Sequence, residues 1–216
     1  NTEKTNVLHC ALGFATETTE FLESMRPYMA GAQLSKIDKF AADGPQIELG
    51  DGGYYLSALA KILKLKAFSA KKKVKLEGTL TEAILDYVKI GSDLADLVKK
   101  TFYGPKMAQV EKMVRNPQTK EIGPKMVSVV DKEAEAAVWA ERKAKITELV
   151  VKAQEKHAML CFAILGTPTG PVNLANIKKL VHRFPEGTFE LEAAQKKDPA
   201  AEAAVAQQAD AQAAHA

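Results

Sequence analysis

Residues 47–65, IELGDGGYYLSALAKILKL, would be apolar on nearly every side of the helix they form. In residues 47–63 the charged side chains are only Glu48, Asp51 and Lys61. A helix of this kind must be covered by protein all round, because its apolar surface cannot face water on any broad side. The sequence therefore predicts a buried helix at about 46–65, surrounded by the other elements of a helical bundle.

The rest of the chain also favours helices, since it is rich in Ala, Leu, Lys and Glu. The apolar periodicity and the helix stop signals predict four more helices, at about 6–26 before Pro27, 80–102, 131–165 and 172–183. Turn residues predict a loop at about 115–125. No segment shows a convincing strand pattern, so the predicted fold class is all-α.

The totals exclude several classes of protein. A net charge of +3 gives no case for nucleic acid or a membrane surface as a partner. The two cysteines, Cys10 and Cys161, are too few for a disulfide framework, and no run is long enough to cross a bilayer. No stretch reads as a signal peptide. We expect one cytoplasmic domain at 1–198, followed by a disordered Ala/Gln tail at 199–216.

Two pairs of acids carry the functional signal. Glu17 and Glu20 are three residues apart, as are Glu48 and Asp51, and residues at this spacing share a helix face. If the first two helices pack antiparallel, the four carboxylates converge. Four anions repel one another in a buried space, and a divalent cation removes that conflict. Ligation by oxygen alone selects a hard ion, Mg²⁺ or alternatively Mn²⁺.

The competing interpretation is that both pairs are ordinary solvated faces, which is the usual meaning of such spacing. Glu48 and Asp51 differ from that case because their helix is otherwise apolar, and acids are rarely buried unless they are paired or bind a metal. This context favours the metal site.

Three blocks of the sequence resemble the MazG-type all-α nucleoside triphosphate pyrophosphohydrolases. LHCALGFATETTEFLE (8–23) is similar to the family's H-x-x-L-G-x-A-T-E-x-x-E-L/F helix, and IELGDGGYYLSALA (47–60) to its E-E-L-G-D-x-x-W-Y-L stretch. NIKKLVHRFPEGTFELEAAQKKD (176–198) resembles the N-I-x-K-L-x-x-R-Y-P segment of phage-type members. The blocks occur in the family's order and cover roughly a quarter to a third of the chain.

The resemblance implies hydrolysis of a nucleoside triphosphate to the monophosphate and pyrophosphate, in nucleotide-pool control or house-cleaning, and in the host cytoplasm if the protein is virus-encoded. The base preference stays open. The family pattern makes Glu17, Glu20, Glu48 and Asp51 catalytic ligands of Mg²⁺. One of the glutamates is alternatively the general base that accepts a proton from water, and the pattern does not say which.

The third block supplies positive charge. Asn176, Lys179 and Arg183 fall within about 60° on a helical wheel, and the wheel assigns Leu174, Ile177, Leu180 and Val181 to the packing face. An amide, an ammonium and a guanidinium suit phosphate oxygens. Spacing alone would favour a solvated basic face, and only the family pattern makes these residues substrate ligands. Lys36, in the loop before the second helix, is a further candidate for substrate binding.

The sequence also departs from the family. Gly52 and Gly53 replace bulky residues, which makes room either for a ligand or for close helix packing. An insertion of helical character separates the second and third blocks, at about 66–165. Relatives complete a half-bundle by dimerising, so we expect a homodimer or higher homo-oligomer, with a monomer closed by the insertion as the alternative. The rival function is a catalytically degenerate helical module that binds a nucleotide or a protein.

Overall fold

The computed structural model describes residues 2–33, 44–66, 76, 78–103, 107–115, 118, 120 and 122–183. In this part of the chain the structure is mostly helical, as predicted. Its elements are α1 (Thr2–Met29), α2 (Pro45–Ile62), α3 (Leu80–Tyr103), β1 (Met107–Arg115), β2 (Ile122–Val130), α4 (Lys132–Leu160) and α5 (Thr169–Arg183). A single π-helical turn, Cys161–Leu165, continues α4.

Helix α1 does not stop before Pro27, which corrects the sequence-based prediction. Pro27 lies in the last turn of α1, where its missing N–H removes only one hydrogen bond from the end of the helix. The helix ends at Met29, and Gly31, with φ +106°, terminates it. Gly31 N donates to Tyr28 O and Ala32 N donates to Pro27 O, the paired bonds of a Schellman motif.

The ends of the next two helices also have local causes. Helix α2 ends at Ile62, three residues earlier than predicted, because Lys64 adopts a left-handed conformation with φ 59°. Helix α3 begins with a capping box in which Thr79 N donates to the Glu82 carboxylate at 2.8 Å. Glu82 N donates back to Thr79 Oγ1 at 3.2 Å. Helix α3 therefore starts at the predicted residue.

The prediction that the chain lacks strands is wrong for residues 107–130. Strands β1 and β2 form an antiparallel hairpin in which Met107 pairs with Val130 and Arg115 pairs with Ile122. The predicted loop at about 115–125 is wrong at residues 115 and 122–125, which belong to the strands, and of the residues between them only 118 and 120 are described. Neither strand alternates cleanly between apolar and polar residues, so the period-two signal of a half-buried strand was missing.

One core joins all five helices. Tyr87 of α3 lies at its centre, with its ring 5.4 Å from that of Phe14 and 6.0 Å from that of Phe21. Ile146 and Val150 of α4 are buried in the same cluster. Helices α3 and α4 lie in the segment that the sequence analysis interpreted as an insertion, and they pack directly on the helices that carry the acids.

The two cysteines are both buried in this core as free thiols. Among the described residues, no helix by itself has the length and hydrophobicity to cross a membrane, although the bent pair 132–165 and 169–180 meets that criterion when taken together.

Candidate metal centre

The first two helices approach each other closely beside the acids at Gly13 of α1. A Cβ atom added to Gly13 would lie 2.4 Å from the ring of Tyr55 on α2. Gly52 of α2 makes room for α3 instead, since a Cβ atom there would lie 2.9 Å from Tyr87 Oη but at an ordinary contact distance of 3.9 Å from Glu17 Cβ. Gly13 therefore lets α1 pack against α2 one turn before Glu17.

Gly53 serves packing in the same way. A Cβ atom there would lie 2.3 Å from Asn173 Oδ1 on α5 and 3.1 Å from the His157 ring on α4. Of the two explanations that the sequence left open for Gly52 and Gly53, the described contacts support close helix packing.

Three of the four predicted carboxylates come together between α1 and α2. Glu17, Glu48 and Asp51 each offer one oxygen, and these three atoms all lie within 4.8 Å of one another. Glu17 and Asp51 are partly buried, whereas Glu48 is only 6% exposed. The arrangement is a compact acidic pocket with its most buried member on α2.

Glu48 is the electrostatic centre of this pocket. Burial raises the pKa of its carboxyl to about 8, with further contributions in the same direction from Asp51, Glu20 and Glu17. Lys179 acts in the opposite direction and does not offset them. Within the described part of the chain, Glu48 Oε2 is buried without a hydrogen-bond partner. Such an atom is costly unless something else satisfies it.

Glu20 lies at the margin of the site. It is exposed and does not belong to the group of three whose ligand atoms converge. Its charge nevertheless reaches Glu48, since it raises the pKa of that carboxyl. The two acids of α1 are therefore inequivalent, with Glu17 inside the pocket and Glu20 on its solvent side.

Helix α5 provides the positive charge that the sequence predicted. Lys179 is only 3% exposed, and its ammonium donates to both carboxylate oxygens of Asp51, with an Nζ to Oδ1 distance of 2.5 Å. A buried lysine is rare unless it is paired with an anion. This contact ties the end of α5 to the acidic pocket.

Asn176 is buried one turn before Lys179. Its amide nitrogen donates to Gly50 O at 2.8 Å, and a Cβ atom added to Gly50 would lie 3.0 Å from Asn176 Cβ. Asn176 Oδ1 has no hydrogen-bond partner among the described residues. The side chain thus presents an unused buried acceptor next to the helix that carries Glu48 and Asp51.

The orientation of α5 reverses part of the prediction. Leu174 and Ile177, expected on the packing face, are 43% and 52% exposed, whereas the polar Asn176 is 5% exposed. Helix α5 turns its polar side inward because the facing side of α2 has glycines and an acid, which accept an amide and an ammonium. The side chain of Arg183, at the end of α5, and the whole of Lys36 lie outside the described residues.

Two site residues were missed at the sequence level. His157 of α4 is buried, and its Nε2 lies 2.8 Å from Leu49 O, so it supports α2 between the two acids. Burial lowers the pKa of His157, which favours the neutral ring with Nε2–H as donor. Tyr55 lies one turn after Asp51, and burial together with the charges of Glu17 and Asp51 raises its pKa.

The spacing of Tyr55 from Asp51 could have placed it on the acid face. His157, by contrast, has no pattern in the sequence that links it to α2.

The donor set fits a divalent metal ion. Carboxylate oxygens from α1 and α2 are the ligands that Mg²⁺ and Mn²⁺ prefer, and the buried Glu48 Oε2 lacks another partner in the described structure. The residues that would hold the ion are Glu17, Glu48 and Asp51. Comparison of the chain with protein-family models, curated proteins and solved structures gives no match.

Proposed function

We propose that this protein is a Mg²⁺-dependent nucleoside triphosphate pyrophosphohydrolase that releases the nucleoside monophosphate and pyrophosphate. The observation that carries the proposal is that Glu17, Glu48 and Asp51 each place one carboxylate oxygen in the same small volume. The buried Oε2 of Glu48 has no partner among the described residues. Burial, together with repulsion from the neighbouring acids, raises the pKa of Glu48 to about 8, so the pocket is poorly compensated without a cation. The substrate class comes from the resemblance of the three sequence blocks.

In this proposal the position of each residue determines its role. Glu17, Glu48 and Asp51 hold the cation, which when bound neutralises phosphate charge and lowers the pKa of a water ligand. Lys179, which pairs with Asp51, supplies an ammonium for phosphate oxygens. Asn176 donates one amide N–H to Gly50 O and has a second N–H for the same oxygens. Phosphoryl chemistry needs little beyond this positioning and charge compensation.

Glu20 has a separate role in this proposal. It lies on the solvent side of the pocket and outside the group of three, so its carboxylate is available to accept the proton of the attacking water. Glu20→Gln should then lower kcat by about 10²- to 10⁴-fold, the usual contribution of a general base. Mn²⁺ affinity should change little. A large loss of metal affinity in this variant would make Glu20 a ligand instead.

The direct test is pyrophosphate release from a panel of canonical and modified nucleoside triphosphates, with Mg²⁺, with Mn²⁺ and with EDTA. We expect pyrophosphate and the monophosphate to appear in equal amounts and only with metal. Release of orthophosphate would point to a different cleavage. If no triphosphate is hydrolysed while a nucleotide still binds, the protein is the degenerate binding module instead.

A further inference from the structure

Asp51 is paired with Lys179 through both of its carboxylate oxygens. The ammonium donates to Oδ1 and to Oδ2, and the side chain of Lys179 is 4% exposed against 23% for Asp51. Elsewhere in the described chain, ion pairs of Lys with Asp lie on the surface, as for Lys89 and Asp93. The Lys179–Asp51 pair is therefore the buried case, and it lies inside the acidic pocket.

We propose that Lys179 is the resident counter-ion of this pocket, and that it leaves Asp51 when a divalent cation binds and becomes the ligand of the substrate's phosphates. This inference rests on the proposed metal-dependent function and adds a coupling between the cation and the substrate. One positive side chain thereby serves two states of the same site.

The first step of the argument is charge. Glu17, Glu48 and Asp51 share a small volume, and the buried ammonium of Lys179 pairs with Asp51. An unpaired buried anion is strongly unfavourable, so the lysine stabilises the folded protein before any metal is present. The contact thus has a role in the free protein that does not require substrate.

The second step is exclusion. An ion held by Asp51 must use an oxygen to which Lys179 already donates, which would place two cations side by side. Their repulsion favours release of the ammonium. Lysine suits such an exchange because its charge is compact and its four-carbon stem has several rotatable bonds. The freed ammonium remains tethered to α5 beside the site.

The test compares Mn²⁺ binding by the wild type, Lys179→Met and Lys89→Met without substrate, from the electron paramagnetic resonance signal of free Mn²⁺. Lys89 is the matched control, because it also lies 2.5 Å from an aspartate oxygen but on the exposed face of α3. Typical couplings between two sites change an affinity by about 5- to 150-fold. We expect Lys179→Met to bind Mn²⁺ more tightly within that range, and Lys89→Met to match the wild type.

Thermal unfolding gives a second readout of the same variants. Without metal, Lys179→Met should unfold at a lower temperature than Lys89→Met, and saturating Mn²⁺ should raise its Tm more than that of the wild type. Equal Mn²⁺ affinity in wild type and Lys179→Met would overturn the counter-ion exchange and leave the proposed function intact. If the wild type binds no Mn²⁺, the proposed function fails, and the exchange fails with it.

A measurement on the wild type covers the case in which Lys179→Met does not fold. Nuclear magnetic resonance of ¹⁵N-labelled lysine side chains should detect one slowly exchanging ammonium, identified by its loss in Lys179→Arg. Adding Mg²⁺ should accelerate its exchange with solvent and shift its resonance. An ammonium that stays protected at saturating Mg²⁺ would show that Lys179 keeps Asp51, against the proposal.

Discussion

Glu48 is the residue in which fold and function conflict most directly. It is 6% exposed, its Oε2 has no partner among the described residues, and burial together with the neighbouring acids raises its pKa to about 8. A carboxylate in such a place lowers stability unless it binds a cation. Glu48 therefore has the properties expected of a metal ligand, and it should lower the stability of the protein when no metal is bound.

Replacing Glu48 with Gln should separate these two effects. The amide has nearly the same shape but no charge, so turnover and Mn²⁺ binding should be lost while the circular dichroism spectrum stays helical. The Tm of the metal-free variant should exceed that of the wild type at pH 8. Glu23→Gln is the control, since it removes an exposed acid of α1 that pairs with Arg26 at 3.3 Å. Undiminished activity of Glu48→Gln would remove Glu48 from the ligand set.

The same carboxyl predicts how stability depends on pH. Its pKa is 4.5 in the unfolded chain and about 8 in the metal-free fold, so the folded state binds the proton more tightly. Below about pH 4.5 both states are protonated and this group costs nothing. Between 4.5 and 8 the unfolded state ionises first, so stability should fall as pH rises, by an amount on the order of a few kcal/mol.

Urea denaturation of the metal-free protein from pH 5 to pH 8.5 measures this effect, with Glu48→Gln as the reference. The difference in unfolding free energy between variant and wild type should grow with pH and level off above 8. A constant difference would mean that Glu48 titrates normally. Since metal and proton compete for the carboxylate, Mn²⁺ affinity of the wild type should rise over the same interval.

At the scale of elements, close contact of α1 with α2 determines whether the acids converge. Gly13 makes that contact possible, because a Cβ atom there would lie within 2.8 Å of three ring atoms of Tyr55. Gly13→Ala should therefore destabilise the fold by about 1–3 kcal/mol, the usual cost of overpacking, although alanine is the better helix former. It should also weaken Mn²⁺ binding, since the helices must move apart beside Glu17.

Gly170→Ala is the control for this prediction. Gly170 also lies in a helix, but an added Cβ atom would meet nothing within 4 Å in the described structure. Its effect on the unfolding free energy should stay within about 1 kcal/mol. Equal effects of the two substitutions would show that Tyr55 moves aside freely and that the glycine contact does not set the site.

The sequence predicted the positions of the helices better than it predicted which side of each helix is buried. It predicted the buried helix α2 and the start of α3, because apolar surface and apolar periodicity are local features of the sequence. It misplaced the inward face of α5, since burial of Lys179 depends on Asp51, which is 128 positions away in the chain. The spacing within each pair of acids is a local feature that the sequence shows directly. That Glu17, Glu48 and Asp51 come together could be predicted only by assuming how the two helices pack.

At the scale of the whole molecule, the described fold changes the reason for expecting an oligomer. The sequence predicted that α2 must be covered on all sides, and the family resemblance implied that a second copy of the chain completes the bundle. In the structure α4 also contributes, since His157 contacts both Leu49 and the Gly53 side of α2. Part of the surface of α2 is thus covered by α4, which lies in the segment that the sequence analysis interpreted as an insertion.

One motive for assembly is the outer face of α5, where Leu174 and Ile177 are among the exposed large hydrophobic side chains of the described residues, next to the helix turn that carries the buried Asn176. Paired exposed aliphatic side chains are typical of an interaction surface when they join a larger apolar patch. We expect sedimentation equilibrium at micromolar concentration to give a homodimer of the 23.4 kDa chain.

Ile177→Lys tests whether α5 is that contact, since it places a charge on the outer face without changing the inner one. It should convert the dimer to a monomer and preserve the helical circular dichroism spectrum. Lys99→Ala is a control at an exposed position of α3.

An obligate interface would bury more than about 2,000 Å² in total. Two side chains supply less than this area, so a stable dimer requires further contacts around α5. A fully active monomeric wild type would instead mean that α3 and α4 close the bundle within one chain, and that the acidic pocket needs no second copy.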